Sequence, residues 1–389
     1  MRLLLVAPLA LLIMACEPES VPVTGEPGTS LPGLSPSESA RFSAGLALFN
    51  KVFAPEEGLG PAFNENQCSA CHTIPAAGGT TGFERVVKAT RYGGPGACDL
   101  LSHEGGENIR TQATPLLRAH GVSGESRPPN ATETGRFLPP ILFGLGLVEA
   151  IPERSIVARA DPSDKNGDGI SGRAAHGRDG KFTRFGRKAD VATIEEFTRS
   201  ALRLEMGLTT RASDRDLVNG LAVPSGTDPL AEPEVDDRTV ELLTDFTRFL
   251  VPPAPAPALS KEQADTLAAG SRLFHQLGCA SCHTPAMRTG STDTPALSNK
   301  TVHLYSDLLL HDMGPDLVNV CAYDASPREL RTAMLMGLQH RSFYLHDGRA
   351  TDLRDAILAH GGEAQAARDA FARLPWLRQE YVVIFLRSL

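Results

Sequence analysis

Two copies of one pattern, Cys68-Ser69-Ala70-Cys71-His72 and Cys279-Ala280-Ser281-Cys282-His283, constrain this chain more than anything else in it. Each copy puts two thiols one helical turn apart and follows them at once with an imidazole. The thiols can form thioethers with the two vinyl groups of one haem, and the histidine can then reach the iron. A single copy would equally fit half of a four-ligand zinc site. Two copies, 211 residues apart and each closed by histidine, predict two covalently bound c-type haems. Cys68, Cys71, Cys279 and Cys282 are the attachment points; His72 and His283 are axial iron ligands. The chain reads as a redox protein.

With 389 residues there is room for two or three domains. A net charge of −8 and a pI near 5.8, with no basic patch, argue against a nucleic-acid partner. The first residues read as an export signal: Arg2 supplies a positive charge, and Leu3 to Met14 is apolar but too short to span a bilayer. The run ends Ile13-Met14-Ala15-Cys16, similar to a bacterial lipobox with Cys16 as the lipidated residue; an ordinary cleaved signal is the other reading. Glu17 would direct such a lipoprotein to the outer membrane. We therefore expect a signal peptide at 1–15, a flexible Pro- and Gly-rich tether at 16–33, and a periplasmic location with membrane contact through a lipid anchor only. Of the seven cysteines, Cys98 and Cys321 remain. In an oxidising compartment they form a disulfide or stay as two buried thiols.

The approach to each motif repeats. LSPSESARFSAGLALFN from Leu34 and LSKEQADTLAAGSRLFH from Leu259 share Leu, Ser, Ala, Gly, Leu and Phe at a constant offset of 225. Both open with a capping box, Ser35 with Glu38 and Ser260 with Gln263, and continue at helical spacing. The first copy then carries about fourteen extra residues before its cysteines. Trp376 to Leu389 has one apolar face and reads as a closing helix, while Pro252 to Pro257 reads as a stiff linker. The predicted fold is mainly α: two cytochrome-c-like haem domains related by duplication, at 34–150 and 258–389, around a loop-rich middle segment at 151–251.

Several segments in order along the chain, among them FNENQCSACHTIP, RFLPPILFGLGLVEAIPE, DKNGDGISGRA, LYSDLLLHDMGPDL and YLHDGRATDLRDAILAHGGEA, resemble the di-haem oxidoreductases related to bacterial di-haem cytochrome c peroxidases. The resemblance implies two facing haem domains, with electrons entering from a donor protein or small redox carrier and leaving to peroxide or another small oxidant. It also implies that the residue before Gly361-Gly362, here His360, is a second axial ligand. A solvated histidine at a helix C-terminus is the alternative, and Met313 or Met336 are substitute ligands. His311 and His346 are expected at the haem edge or in local hydrogen bonds.

Asp164, Asn166 and Asp168 match the opening of a calcium-binding loop, although the twelfth position is Ala175 rather than Glu. An Asx-rich turn is the alternative reading. No distal histidine is legible for the first haem: His103, His120 and His176 carry no motif. Glu149, a carboxylate in an apolar stretch, is the candidate acid/base there; a helix-terminal glutamate in water is the plainer reading. A non-catalytic electron carrier, or oxidation of an organic or protein substrate with peroxide or oxygen, are the competing functions.

Overall fold

The computed structural model describes residues 23–82, 86–213 and 215–389. The signal peptide and Cys16 lie outside the described residues. Helix accounts for 33% of the chain and strand for 14%, so helices organise the two largest hydrophobic clusters while loops carry much of the rest. Among the described residues no helix is long and apolar enough to cross a membrane.

Both repeated segments form helices, Pro36–Phe49 and Lys261–Gln276. Ser35 and Glu38 make the reciprocal capping box, with Pro36 at the first turn. In the second copy Ser260 accepts from the Gln263 N–H, but the Gln263 side chain reaches back to Leu259. Each helix packs on a later one: Pro36–Phe49 on Asp237–Phe249, and Lys261–Gln276 on Trp376–Leu386. The crossing points are the repeated glycines. A Cβ on Gly45 would run into the Leu242 carbonyl and Phe246, and one on Gly270 into the Tyr381 carbonyl and Phe385. The repeated phenylalanines then stack on the same partners, Phe49 on Phe246 at 4.7 Å and Phe274 on Phe385 at 5.6 Å. Because backbone rather than a movable side chain blocks the space, Gly270→Val is expected to destabilise the fold by about 1–3 kcal/mol or more in urea denaturation. An unchanged midpoint would remove the close crossing as the reason for this glycine.

This pairing corrects the boundary read at residue 150. The helix that closes on the first repeat, Asp237–Phe249, lies inside what the sequence assigned to the middle segment. Its partner is nearly 200 residues away, so local periodicity could not reveal the match. The tether is corrected as well. From residue 23 onward it is docked: Leu31 is buried and its N–H donates to the Phe249 carbonyl, while the Val251 N–H donates to Thr29. The proline linker runs beside it, with Pro252 accepting from the Gly25 N–H.

One antiparallel sheet of three strands was not foreseen. Val86–Tyr92 is central, pairing with Glu133–Phe137 on one side and Cys98–Asp99 on the other. Cys98 is disulfide-bonded to Cys321, which joins this sheet to the second half of the chain. The two halves interlock elsewhere too, since Met287, Leu304, Leu308 and Leu309 pack into the larger cluster with Phe49 and Phe246.

Candidate redox centres

Each cysteine-histidine motif forms one turn that aims its imidazole inward. Cys68–Cys71 is helical and Cys279–Ser281 is a 3-10 turn, and in both the histidine N–H donates to the carbonyl of the first cysteine. His72 Nδ1 lies 3.0 Å from the Gly79 carbonyl, and His283 Nδ1 lies 3.0 Å from that of Tyr305. Such a bond fixes the tautomer and leaves Nε2 for iron. Burial lowers the pKa of both rings, that of His283 to about 4 with help from nearby His360, so both are neutral as metal ligation requires. The repeated phenylalanines flank these rings, Phe49 at 6.2 Å from His72 and Phe274 at 6.4 Å from His283.

The zinc alternative lacks its ligand set. Among the described residues, no group of converging His, Cys, Asp or Glu contains two of the four motif cysteines. The residues present fit two thioether-bound haems.

The two centres are unequal. Beside the second, His360 ends the turn after helix Leu353–Leu358, and its Nδ1 lies 2.8 Å from the Ala356 carbonyl. Burial lowers its pKa, and it stands close enough to His283 to disfavour charge there. The glycine pair after it is a packing requirement. Gly362 has φ +54°, and a Cβ on it would strike the Asp312 carbonyl and the Gly314 N–H. Met313 lies against Gly361 through its backbone, while Met336 is buried in the larger core beside Gly144.

The first centre opens into a cavity of about 610 Å³ lined by Phe49, Cys68, Cys71 and His72, a volume suited to a cofactor or ligand. His72 is the one histidine among its described lining residues. His103, His120 and His176 are elsewhere, and exposed Trp376 is not between the centres. Glu149 does not enter the cavity, which corrects its assignment as acid/base. Its carboxylate accepts from the Ile194 N–H at 2.8 Å and pairs with Arg248 at 3.0 Å, so it caps a helix. The carboxyl that does line the cavity with a raised pKa is Glu205: burial raises it, and Asn64 Nδ2 donates to it at 3.1 Å.

The calcium-like loop is satisfied internally. Asp164 accepts from the Gly169 N–H, Asn166 from Asp168 and Asp168 from Ile170, each an Asx-type contact. These contacts are those of an Asx-rich turn, the alternative reading of Asp164, Asn166 and Asp168. The loop instead docks through Glu363, which accepts from Ser171, Gly172 and Asp312. Glu363 also holds His311 Nδ1 at 2.7 Å, while Asp307 holds Nε2 at 2.9 Å. Sequence reading missed Asp307 and Glu363. Their signal was adjacency to His311 and to the Gly361-Gly362 pair.

A family model described as "Di-haem oxidoreductase, putative peroxidase" matches residues 133–389. This chain belongs to that family. It is therefore an oxidoreductase enzyme of the di-haem class, and the match includes the second motif and His360. No curated protein matches. Among solved structures, this di-haem oxidoreductase is similar to the diheme peroxidase BthA of Burkholderia thailandensis at 15% identity, over 96% of this chain and 93% of that one, with a TM-score of 0.41. Hydrazine synthase of Kuenenia stuttgartiensis is similar at 13% identity over 98% and 100%, TM-score 0.39. A MauG-like protein associated with microbial copper homeostasis is similar at 13% identity over 63% and 88%, TM-score 0.31.

Proposed function

We propose that this enzyme is a c-type di-haem peroxidase with an electron-storing centre at Cys279, Cys282, His283 and His360 and a peroxide-reactive centre at Cys68, Cys71 and His72. The observation that carries the reading is the inequality of the two sites: a second imidazole beside His283, and beside His72 a roomy cavity with no second histidine among its described lining residues. Bound there, the two haems would supply one-electron transfer and peroxide reduction. The rest falls to the chain. His72 and His283 each keep a neutral Nε2 available through their carbonyl bonds, and His360 closes the second site to small oxidants. Glu205 is the residue we assign to proton movement: it lines the cavity, and burial raises its pKa and so favours the protonated form that can give a proton to the departing oxygen. Reduction of one peroxide consumes two electrons and two protons and yields two waters. An electron-donor protein or small carrier would supply the electrons. The Cys98–Cys321 disulfide supports an oxidising compartment, in keeping with the periplasm.

The test is optical and EPR spectroscopy of the purified protein in its ferric and half-reduced forms, with and without peroxide. A high-spin signal that disappears on adding peroxide is expected. Two low-spin haems indifferent to peroxide and cyanide in every redox state would leave an electron carrier. Glu205→Gln should slow the peroxide reaction by about 10²–10⁴-fold while leaving the resting spectra intact. A rate within a few-fold of wild type would remove Glu205 from the chemistry.

A further inference from the structure

A second, smaller cavity of about 150 Å³ abuts the first-haem cavity. Glu107, Asn108, Arg203 and Leu204 line both, so these four residues are the wall between them. Exposed Arg215 stands on its outer rim, which puts the smaller cavity toward solvent. Two parts of that wall are fixed. Asn108 is 2% exposed, and its Nδ2 donates to the Leu204 carbonyl at 2.9 Å, tying this segment to the last turn of helix Ile194–Met206. Glu107 is anchored from its own side, where the Ser102 hydroxyl donates to Oε1 at 2.5 Å. Arg203 is the loose part. Its Nη2 meets Glu107 Oε2 at 2.5 Å, its side chain is 37% exposed, and among the described residues its guanidinium has no other partner. The inner face of the wall leads to Glu205: Asn64 Nδ2 lies 3.4 Å from Asn108 Oδ1 and donates to Glu205 at 3.1 Å.

Burial opposes charge on Glu107, but Arg203 and Ser102 win and lower its pKa, so the pair is ionised at neutral pH. A partly exposed ion pair adds little to stability, and a long exposed side chain changes rotamer fast compared with turnover. Asn108 already ties the two segments together, which leaves the pair free to act on passage. We propose that the Glu107–Arg203 pair is a gate between the outer pocket and the first-haem cavity, selecting hydrogen peroxide over bulky organic hydroperoxides by size. The inference rests on the peroxidase reading and names its oxidant. Either oxidant takes two electrons and two protons, giving two waters from hydrogen peroxide, or an alcohol and one water from an organic hydroperoxide. Only the narrower one passes while Arg203 stays on Glu107. The passage delivers it beside Glu205, the residue assigned to proton movement.

The test is stopped-flow mixing of half-reduced holoprotein with hydrogen peroxide and with cumene hydroperoxide, for wild type, Arg203→Ala and Arg203→Lys. Wild type should discriminate against cumene hydroperoxide. Arg203→Ala should raise the rate constant for cumene hydroperoxide, relative to that for hydrogen peroxide, by about 10-fold or more. Arg203→Lys keeps the charge and should restore most of the discrimination. An unchanged ratio in Arg203→Ala holoprotein with wild-type resting spectra would overturn the gate. If the variants fail to assemble, salt decides on the wild type alone. Both oxidants are neutral, so sodium chloride acts on the ion pair and not on their approach, and the ratio should narrow as the pair is screened. A ratio indifferent to salt overturns the gate. Haems that ignore hydrogen peroxide and cyanide alike would instead remove the peroxidase reading on which it rests.

Discussion

His360→Ala is expected to convert one of the two haems from low-spin to high-spin, visible in the ferric EPR and optical spectra, while the haem count stays at two. Two neutral imidazoles facing one iron give a strong axial field. The structure prepares both: His283 is fixed by the Tyr305 carbonyl and His360 by the Ala356 carbonyl, so each ring is oriented before metal arrives. Removing one leaves an axial position that only water or a weak ligand can fill. Added imidazole should restore the low-spin form, because the space vacated matches it. Met313, whose backbone abuts Gly361, is the nearest substitute the sequence offers. A spectrum unchanged in His360→Ala would dismiss His360 as a ligand. The asymmetry between the centres would then need another source.

Whether each part of this arrangement was legible depended on how local its cause is. The motif cysteines and their histidines could be read because chemistry fixes their spacing within a few residues, whereas His360 entered only through the resemblance. The repeated glycines could be read as a repeat, but not as helix crossings. Their partners, Leu242 and Tyr381, lie more than a hundred residues away and carry no matching signal. Glu149 was misread for a related reason. An acidic residue in an apolar stretch looks desolvated in one dimension, yet the fold brings Arg248 and the Ile194 N–H to it from elsewhere. Asp164, Asn166 and Asp168 have the spacing of a cation loop, and the same spacing builds Asx turns.

The Asp307–His311–Glu363 bridge is a contact that sequence gave no reason to expect, and it should be a large contributor to stability. His311 and Asp307 side chains are each 3% exposed, and Glu363 ties them to the 161–172 loop. Burial opposes charge on His311, but its hydrogen bonds to Asp307, Cys282 and Glu363 win and raise its pKa from 6.5 to about 12. Burial likewise opposes charge on Glu363, and the bonds from His311 and Ser171 lower its pKa from 4.5 to about 2. The two shifts set opposite limits. The histidine's contribution is fully present below pH 6.5 and erodes as pH rises toward about 12. The glutamate's is present above pH 4.5 and is lost as pH falls toward about 2. The bridge is therefore strongest between those bounds. His311→Ala strands Asp307 without its cation, and should cost about 3–5 kcal/mol in urea denaturation near pH ~5.5. The gap between wild type and variant should narrow on the alkaline side, as wild type loses what the variant never had. A loss below about 1 kcal/mol, or a gap that ignores pH, would mean that the imidazolium does not hold this junction. Because His311 also sits 3.8 Å from Cys282 Sγ, the loosened junction should be felt at the second centre before the first.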